Sequence, residues 1–223
     1  MPQGSVIIEK VPPAVCARML IDKEVDISLI PVGALLTLPE YQIIGNHCIG
    51  ANDRVATVEL FSECPLNEIE SIYLDHDSRT SNLLVQILAK NYWHISPQWL
   101  KPEIGYEKKI KGKTAGVIIG NRAFSYSNKI RYNRDLADEW QKMTGLPFVF
   151  ACWASLKPID PDFIIILENA FNQGIKNLDD AIQSFGTISD IDIKTYLTQN
   201  ISFEFDEPKH KAMTLFDELR KGL

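Results

Sequence analysis

No apolar run in this 223-residue chain is long enough to cross a bilayer. The run Phe163-Ile164-Ile165-Ile166-Leu167 is too short and reads as part of a buried helix. No signal-peptide pattern follows Met1, so the expectation is a cytoplasmic protein. Cysteine is sparse: Cys16, Cys48, Cys64 and Cys152 are widely scattered without metal-type spacing and read as reduced thiols. The four histidines, His47, His76, His94 and His210, show no ligand pairing, so no metal site is expected. An excess of positive charge is missing too. The net charge of −6 gives no stripe for nucleic acid, and the basic run from Lys108 to Lys113 reads as a solvated loop. Repeats and low-complexity segments are absent. What remains is a globular composition, 45% hydrophobic and 23% charged, long enough for one large domain or two small ones.

The most informative stretch is Leu74-Asp75-His76-Asp77-Ser78-Arg79-Thr80-Ser81. It follows a short apolar run, Ile72-Tyr73-Leu74, and precedes Leu83, Leu84, Ile87 and Leu88 at helical spacing. It therefore predicts a strand-to-helix loop whose hydroxyls and N–H groups gather at a helix N-terminus. Such a place attracts anions, because the first N–H groups have no intrahelical partner and the dipole is positive there. Ordinary capping by Ser78 or Thr80 is the competing reading, yet four capping-type residues around one arginine exceed what a cap requires.

Elsewhere the chain alternates strand and helix patterns. Strands are expected over residues 5–9, 25–30, 43–49, 56–61, 72–74, 116–119 and 148–153. Helices are expected from Pro12-Pro13 to about Asp22, after Ser81, from an Asn133 cap through Leu136, Trp140 and Met143, and from Pro161 to about Gly174. Three more should follow, over 177–185, over 189–199, and from Pro208, the last with Ala212, Leu215, Phe216 and Leu219 on one face. The alternation predicts α/β architecture with mainly parallel sheets. Punctuation at Pro65 and at Gly145-Leu146-Pro147 suggests a central lobe, 66–147, inserted into a lobe made of 1–65 and 148–223. A ligand would bind between them, at the carboxyl ends of strands.

Six ordered stretches carry a resemblance: residues 24–32, Cys48-Ile49-Gly50-Ala51, Val58 to Ser62, Leu74-Asp75 with Ser78 to Ser81, Ile118 to Ala123, and Asp135 to Trp140 running on to Ala151. In these the chain resembles the chorismate dehydratase family of the futalosine route to menaquinone. The resemblance implies a two-lobed fold of the periplasmic-binding-protein type II kind. It also implies a lyase that removes water from chorismate to give 3-[(1-carboxyvinyl)oxy]benzoate. Neither a redox cofactor nor a metal is implied, because aromatisation drives the elimination. Chorismate is a dianion, and Ser78, Arg79, Thr80 and Ser81 can receive one carboxylate. Arg79 pairing with a surface acid is the alternative. Thr57 keeps the hydroxyl that the family commonly has before this apolar run. Phe150 lies with Phe148 and Trp153 where a cleft wall is expected, although core packing also explains Phe148.

Two departures accompany the resemblance. The family's opening strand, ending in a Ser-Tyr-x-Asn-x-x-Pro motif, has no counterpart, so the chain looks short by one strand–helix unit. A second copy could then pair with it as a homodimer. Asn121 stands where the family often has Asp; it can contact substrate but cannot act as a base. No general base stands out among His76, Asp75 and Asp77, and Asp75 reads better as a residue that orients the loop. A substrate carboxylate could take the ring proton itself. The rival readings are the sister enzyme that makes 1,4-dihydroxy-6-naphthoate, for which His76 would be the pointer, and a non-catalytic binder of small anions.

Overall fold

The computed structural model describes residues 6–127, 129–185 and 192–223. Pro13, with its fixed φ, opens α1 (Pro13–Ile21), which buries Ala17 and Leu20 against β1 (Ser28–Pro31). A short α2 (Val32–Leu35), β2 (Gln42–Ala51), β3 (Val58–Ser62) and β4 (Ser71–Tyr73) follow. Next come α3 (Arg79–Leu88), β5 (Gln98–Leu100), β6 (Thr114–Ile119), α4 (Asn121–Ser127), β7 (Tyr132–Asp135) and α5 (Leu136–Thr144). The chain continues through β8 (Phe148–Ser155), α6 (Pro161–Lys176), α7 (Leu178–Phe185), the short α8 (Ile193–Thr195), β9 (Ser202–Glu204) and α9 (Glu207–Arg220).

These strands build two sheets. One has the order β1-β8-β2-β9, and the other β5-β4-β6-β3-β7. The expectation of mainly parallel pairing fails. Among the described residues only β4 pairs in parallel, with β5 and β6; the other ladders are antiparallel. Periodicity reveals that strands alternate with helices, but direction is set by the return of β8 from the second sheet to lie between β1 and β2. The boundary at residue 65 also needs moving. Val58–Ser62 would fall in the lobe of the two ends, yet β3 pairs with β6 and β7 in the five-stranded sheet. The chain therefore passes between sheets over Asn52–Thr57 and returns through α5.

Three local expectations also change. Asn133 does not cap a helix: it lies in β7, and Asp135 caps α5 by accepting N–H groups from Ala137 and Asp138. Residues 6–11 form no strand, and Val6, Ile7 and Ile8 are 52%, 81% and 77% exposed; Ser5 lies outside the described residues. Of the helix expected over 189–199, residues 189–191 also lie outside them. From Asp192 the chain makes α8 and then a π-type turn, Tyr196–Asn200.

The core follows the sheet pleat. Along β3, Leu60 joins a cluster with Ile72, Val85, Val117 and Leu136, while its neighbour Phe61 packs with Tyr106, Ile110 and Ile118 in a second cluster. Trp140 of α5, Phe148 of β8 and Phe216 of α9 meet edge-on, with centroids 5.2–6.0 Å apart, and are fully buried. That triad seats α9 against β8 and α5, and it gives Phe148 to the core.

Candidate functional site between the two sheets

The carboxyl ends of β4, β6 and β7 and the amino end of β3 lie along one edge of the five-stranded sheet, since β4 and β6 run parallel and β3 opposes β6 and β7. This edge carries Asp75 to Ser78, Gly120-Asn121, Asp135 and Thr57. It is the edge from which the chain leaves for the other sheet, and open α/β folds bind ligands at such places.

Ser78 caps α3. Its Oγ accepts the Ser81 N–H at 3.0 Å and donates to Ser81 Oγ at 2.7 Å. Thr80 is committed differently. Its hydroxyl accepts the Gly33 N–H at 3.0 Å and donates to the Phe150 carbonyl at 3.2 Å, so it ties α3 to the four-stranded sheet. Thr80 and Ser81 are both buried, whereas Arg79 is exposed. Among the described residues Arg79 has no ion pair, so the surface-acid alternative finds no partner there. A cation at a helix N-terminus opposes the dipole, and an anion beside it relieves that conflict.

The loop before α3 is braced from beneath. Asp75 is buried; its Oδ1 accepts the Asp77 N–H at 2.8 Å, and both carboxylate oxygens accept from Arg122 Nη2, at 3.0 and 2.8 Å. Tyr106 donates to Asp75 Oδ2 at 2.8 Å and also reaches the Val117 carbonyl. Burial first, then the Asp75 charge, push the Tyr106 phenol well above its ordinary range. Arg122 further binds Glu107 at 2.6 Å and Asp77 at 3.2 Å. The Asn82 amide exchanges two hydrogen bonds with the Asp75 backbone, at 2.8 and 2.7 Å. Asp75, His76 and Asp77 lie close enough to share a cation, but the Arg122 guanidinium already holds Asp75 and Asp77. His76 is half-exposed, 3.1 Å from Asp77.

Thr57 is buried. Its carbonyl accepts the Gly120 N–H at 2.8 Å, which sets Asn121, the exposed first residue of α4, beside it. Its Oγ1 lies 3.3 Å from the Tyr196 hydroxyl, and the Tyr196 ring meets Phe124 of α4 edge-on at 5.7 Å. Tyr196 thus reaches from the C-terminal segment onto the five-stranded sheet. Burial raises its phenol, while the Thr57 hydrogen bond lowers it, so it stays a donor. Tyr196 lies 139 residues from Thr57 and has no motif around it, so nothing local in the sequence signals it. The pairing of Arg122 with Asp75 spans 47 residues and is equally silent there. Phe150 is half-buried, with its ring 4.8 Å from Phe148 and its carbonyl on Thr80.

Asp135 pins both crossings. Its carboxylate accepts Ala56 N–H at 2.6 Å and the Ala137 and Asp138 N–H groups at 3.0 and 3.2 Å, and Ala56 adopts a left-handed φ of 63°. Burial outweighs these hydrogen bonds and raises the Asp135 carboxyl to about 6. The folded state therefore holds this proton more tightly than the unfolded chain does. Stability from this group is full below about pH 4 and is lost as pH rises toward 6, an effect of roughly 2–3 kcal/mol. Urea unfolding from pH 4 to 7 should show that slope in the wild type and a flatter one in Asp135→Asn. Parallel profiles would remove Asp135 as its source.

A family model for menaquinone biosynthesis matches residues 3–221. A chorismate dehydratase of Thermus thermophilus is 25% identical over 231 residues, covering 92% of this chain and 83% of that protein. Solved structures agree on the fold. A protein of Archaeoglobus fulgidus superimposes with a TM-score of 0.71 at 16% identity, covering 97% of this chain and 85% of that one. A Candida albicans protein described as having the generic periplasmic-binding-protein fold gives 0.64 at 13%, covering 95% and 78%. The periplasmic aliphatic sulphonate binding protein of Escherichia coli gives 0.57 at 13%, covering 95% and 79%. Two sheets joined by two crossings, with a helix N-terminus between them, are thus a periplasmic-binding-protein-like fold, and with a match over nearly its whole length the chain belongs to the menaquinone-biosynthesis family.

Proposed function

We propose that the protein dehydrates chorismate to 3-[(1-carboxyvinyl)oxy]benzoate. The observation that carries this reading is the N-terminus of α3, where Arg79, without an ion pair among the described residues, lies in the first turn of a helix braced by the Asp75–Arg122 pair. A family relative that is a chorismate dehydratase supports it. One substrate carboxylate would bind at Ser78 and Arg79, with Thr80 and Ser81 holding the helix end in place. The second would take the donors of the Thr57–Tyr196 hydroxyl pair, with Asn121 and Phe150 at the margins of the ring.

The reaction removes one ring proton and the ring hydroxyl as a single water, and the electron pair of the broken C–H bond completes the aromatic ring. The site would contribute position and electrostatic stabilisation. A substrate carboxylate is the base in this reading, since the buried Asp75 and Asp135 carboxylates are already engaged by Arg122 and by backbone N–H groups. The protein would work on a small soluble substrate in the cytoplasm and need no metal or nucleotide.

Incubation with chorismate, followed by chromatography and mass measurement, decides the matter. Loss of one water is expected. Arg79→Gln should lower kcat/KM about ten- to a hundredfold, the worth of a charge-assisted hydrogen bond. Chorismate bound but returned unchanged would instead make this a small-anion binding protein. Chorismate neither bound nor changed would end the reading altogether.

A further inference from the structure

A second concavity, of about 240 Å³, lies in the five-stranded half of the molecule, at the end opposite the cleft. Ser62 ends β3, Tyr132 starts β7 and Trp93 follows the C-terminus of α3, and all three line it. The cleft uses the other ends of the same three elements: Thr57, Asp135 and Ser78. A ten-residue helix is ~15 Å long, so the two places are separate.

The walls of the concavity are apolar. Leu60 forms the floor from the sheet, Leu66 and Ile69 come from the loop after β3, and Trp93 and Ile95 close the side. The indole is fixed, because Trp93 Nε1–H donates to the buried Glu139 carboxylate at 2.6 Å. A π-type turn, Ala89–Trp93, and a left-handed His94 (φ 54°) place Trp93 and Ile95 on the same wall.

Polar groups on the lining keep hydrogen-bonding capacity unspent among the described residues. Arg134 spends only Nη1, on Glu139 at 3.3 Å; among the described residues its other nitrogens have none. The Tyr132 hydroxyl and the Asn67 amide likewise make no hydrogen bond among the described residues, while Ser62 is occupied by the Cys64 carbonyl at 2.8 Å. Glu139 is in turn shared with Lys142, so it does not cancel the Arg134 charge alone. A mostly apolar bowl with a fixed aromatic wall and a few aimed donors is the usual build of a small-ligand site.

We propose that this concavity is a second binding site, for a small aromatic or cyclic monocarboxylate whose ring lies against Trp93 and whose carboxylate binds Arg134 and Tyr132. The ligand class follows from one cation, two neutral donor groups and no free acidic group on the lining. The inference stands apart from the dehydratase reading, since it uses neither Arg79 nor Thr57.

Benzoate and its neutral analogue benzamide are the probes, followed by nuclear magnetic resonance of the amide and indole N–H groups. Benzoate should saturate the site and shift Trp93 Nε1–H together with the backbone N–H of Asn67 and Ile95. Benzamide should bind about tenfold more weakly. Arg134→Gln should bring benzoate down to the level of benzamide without altering spectral dispersion, because Arg134 is half-exposed. Ile95→Trp fills the bowl and should abolish both, and Arg79→Gln should leave these shifts in place. The proposal fails if benzoate does not saturate, if its shifts are confined to Thr57 and Ser78 to Ser81, or if Arg134→Gln binds it as the wild type does.

Discussion

Arg122→Met should lower unfolding free energy by about 3 kcal/mol and, under the proposed function, weaken chorismate turnover as well. Arg122 is the only cation on the Asp75 carboxylate among the described residues, and the Asp75 side chain is wholly buried. Removing one member of such a pair strands the other charge in a low-dielectric place, which costs roughly 3–5 kcal/mol; the partial exposure of Arg122 argues for the lower end. Methionine keeps most of the packing volume, so the loss reports the charge. Asp75→Asn removes the stranded charge, and the double variant should therefore recover part of the loss. A double-mutant cycle in urea would give that coupling directly. The functional arm follows from geometry. Asp75 also receives the Asp77 N–H and the Tyr106 hydroxyl, so a displaced Asp75 lets the Ser78 cap drift. KM should rise more than kcat falls. Additive single losses, or an unchanged KM in folded Arg122→Met, would show that the pair does not brace the loop.

The loop itself was legible. A run of capping residues between an apolar strand and a helical repeat specifies a strand–turn–helix, and α3 begins at Arg79 with Ser78 as its cap. The helices opened by Pro13 and Pro161 were legible for the same reason, since proline at a first helical turn is a local signal. Long-range partners were not. Thr80 looks like a free donor in sequence, but its hydroxyl is taken by Gly33 and Phe150, 47 and 70 residues away. Tyr196 carries no local signal, because the turn that presents it follows a helix of only three residues. Asn133 misled because a strand and a cap share the same polar residues; Asp135, two positions on, does the capping, while Asn133 donates to buried Glu59 at 2.8 Å. Strand direction was illegible throughout, since the pleat has the same period whichever way a strand runs.

Gly33→Ala should be strongly disruptive for a substitution that adds a single methyl. A Cβ built on Gly33 would stand 2.8 Å from both Thr80 Cα and Thr80 N, and 3.0 Å from the Arg79 carbonyl carbon. Those are backbone atoms in the first turn of α3, so neither side can rotate away. The helix end must retreat, and its retreat lengthens the Gly33 N–H to Thr80 Oγ1 bond that holds it. Overpacking of this kind costs about 1–3 kcal/mol. The same shift moves Ser78 and Arg79 relative to Thr57, so under the proposed function affinity for chorismate should fall together with stability. Gly174→Ala is the matched control. It adds the same methyl within α6, where nothing lies within 4 Å, and should stabilise by roughly 0.5–1 kcal/mol through helix propensity alone. Thermal melts and chorismate titrations of both variants separate the contributions. If Gly33→Ala melts with the wild type and binds chorismate equally well, then α3 is not wedged against α2 in solution. The close approach of the two backbones would then have no part in holding Arg79 at the cleft.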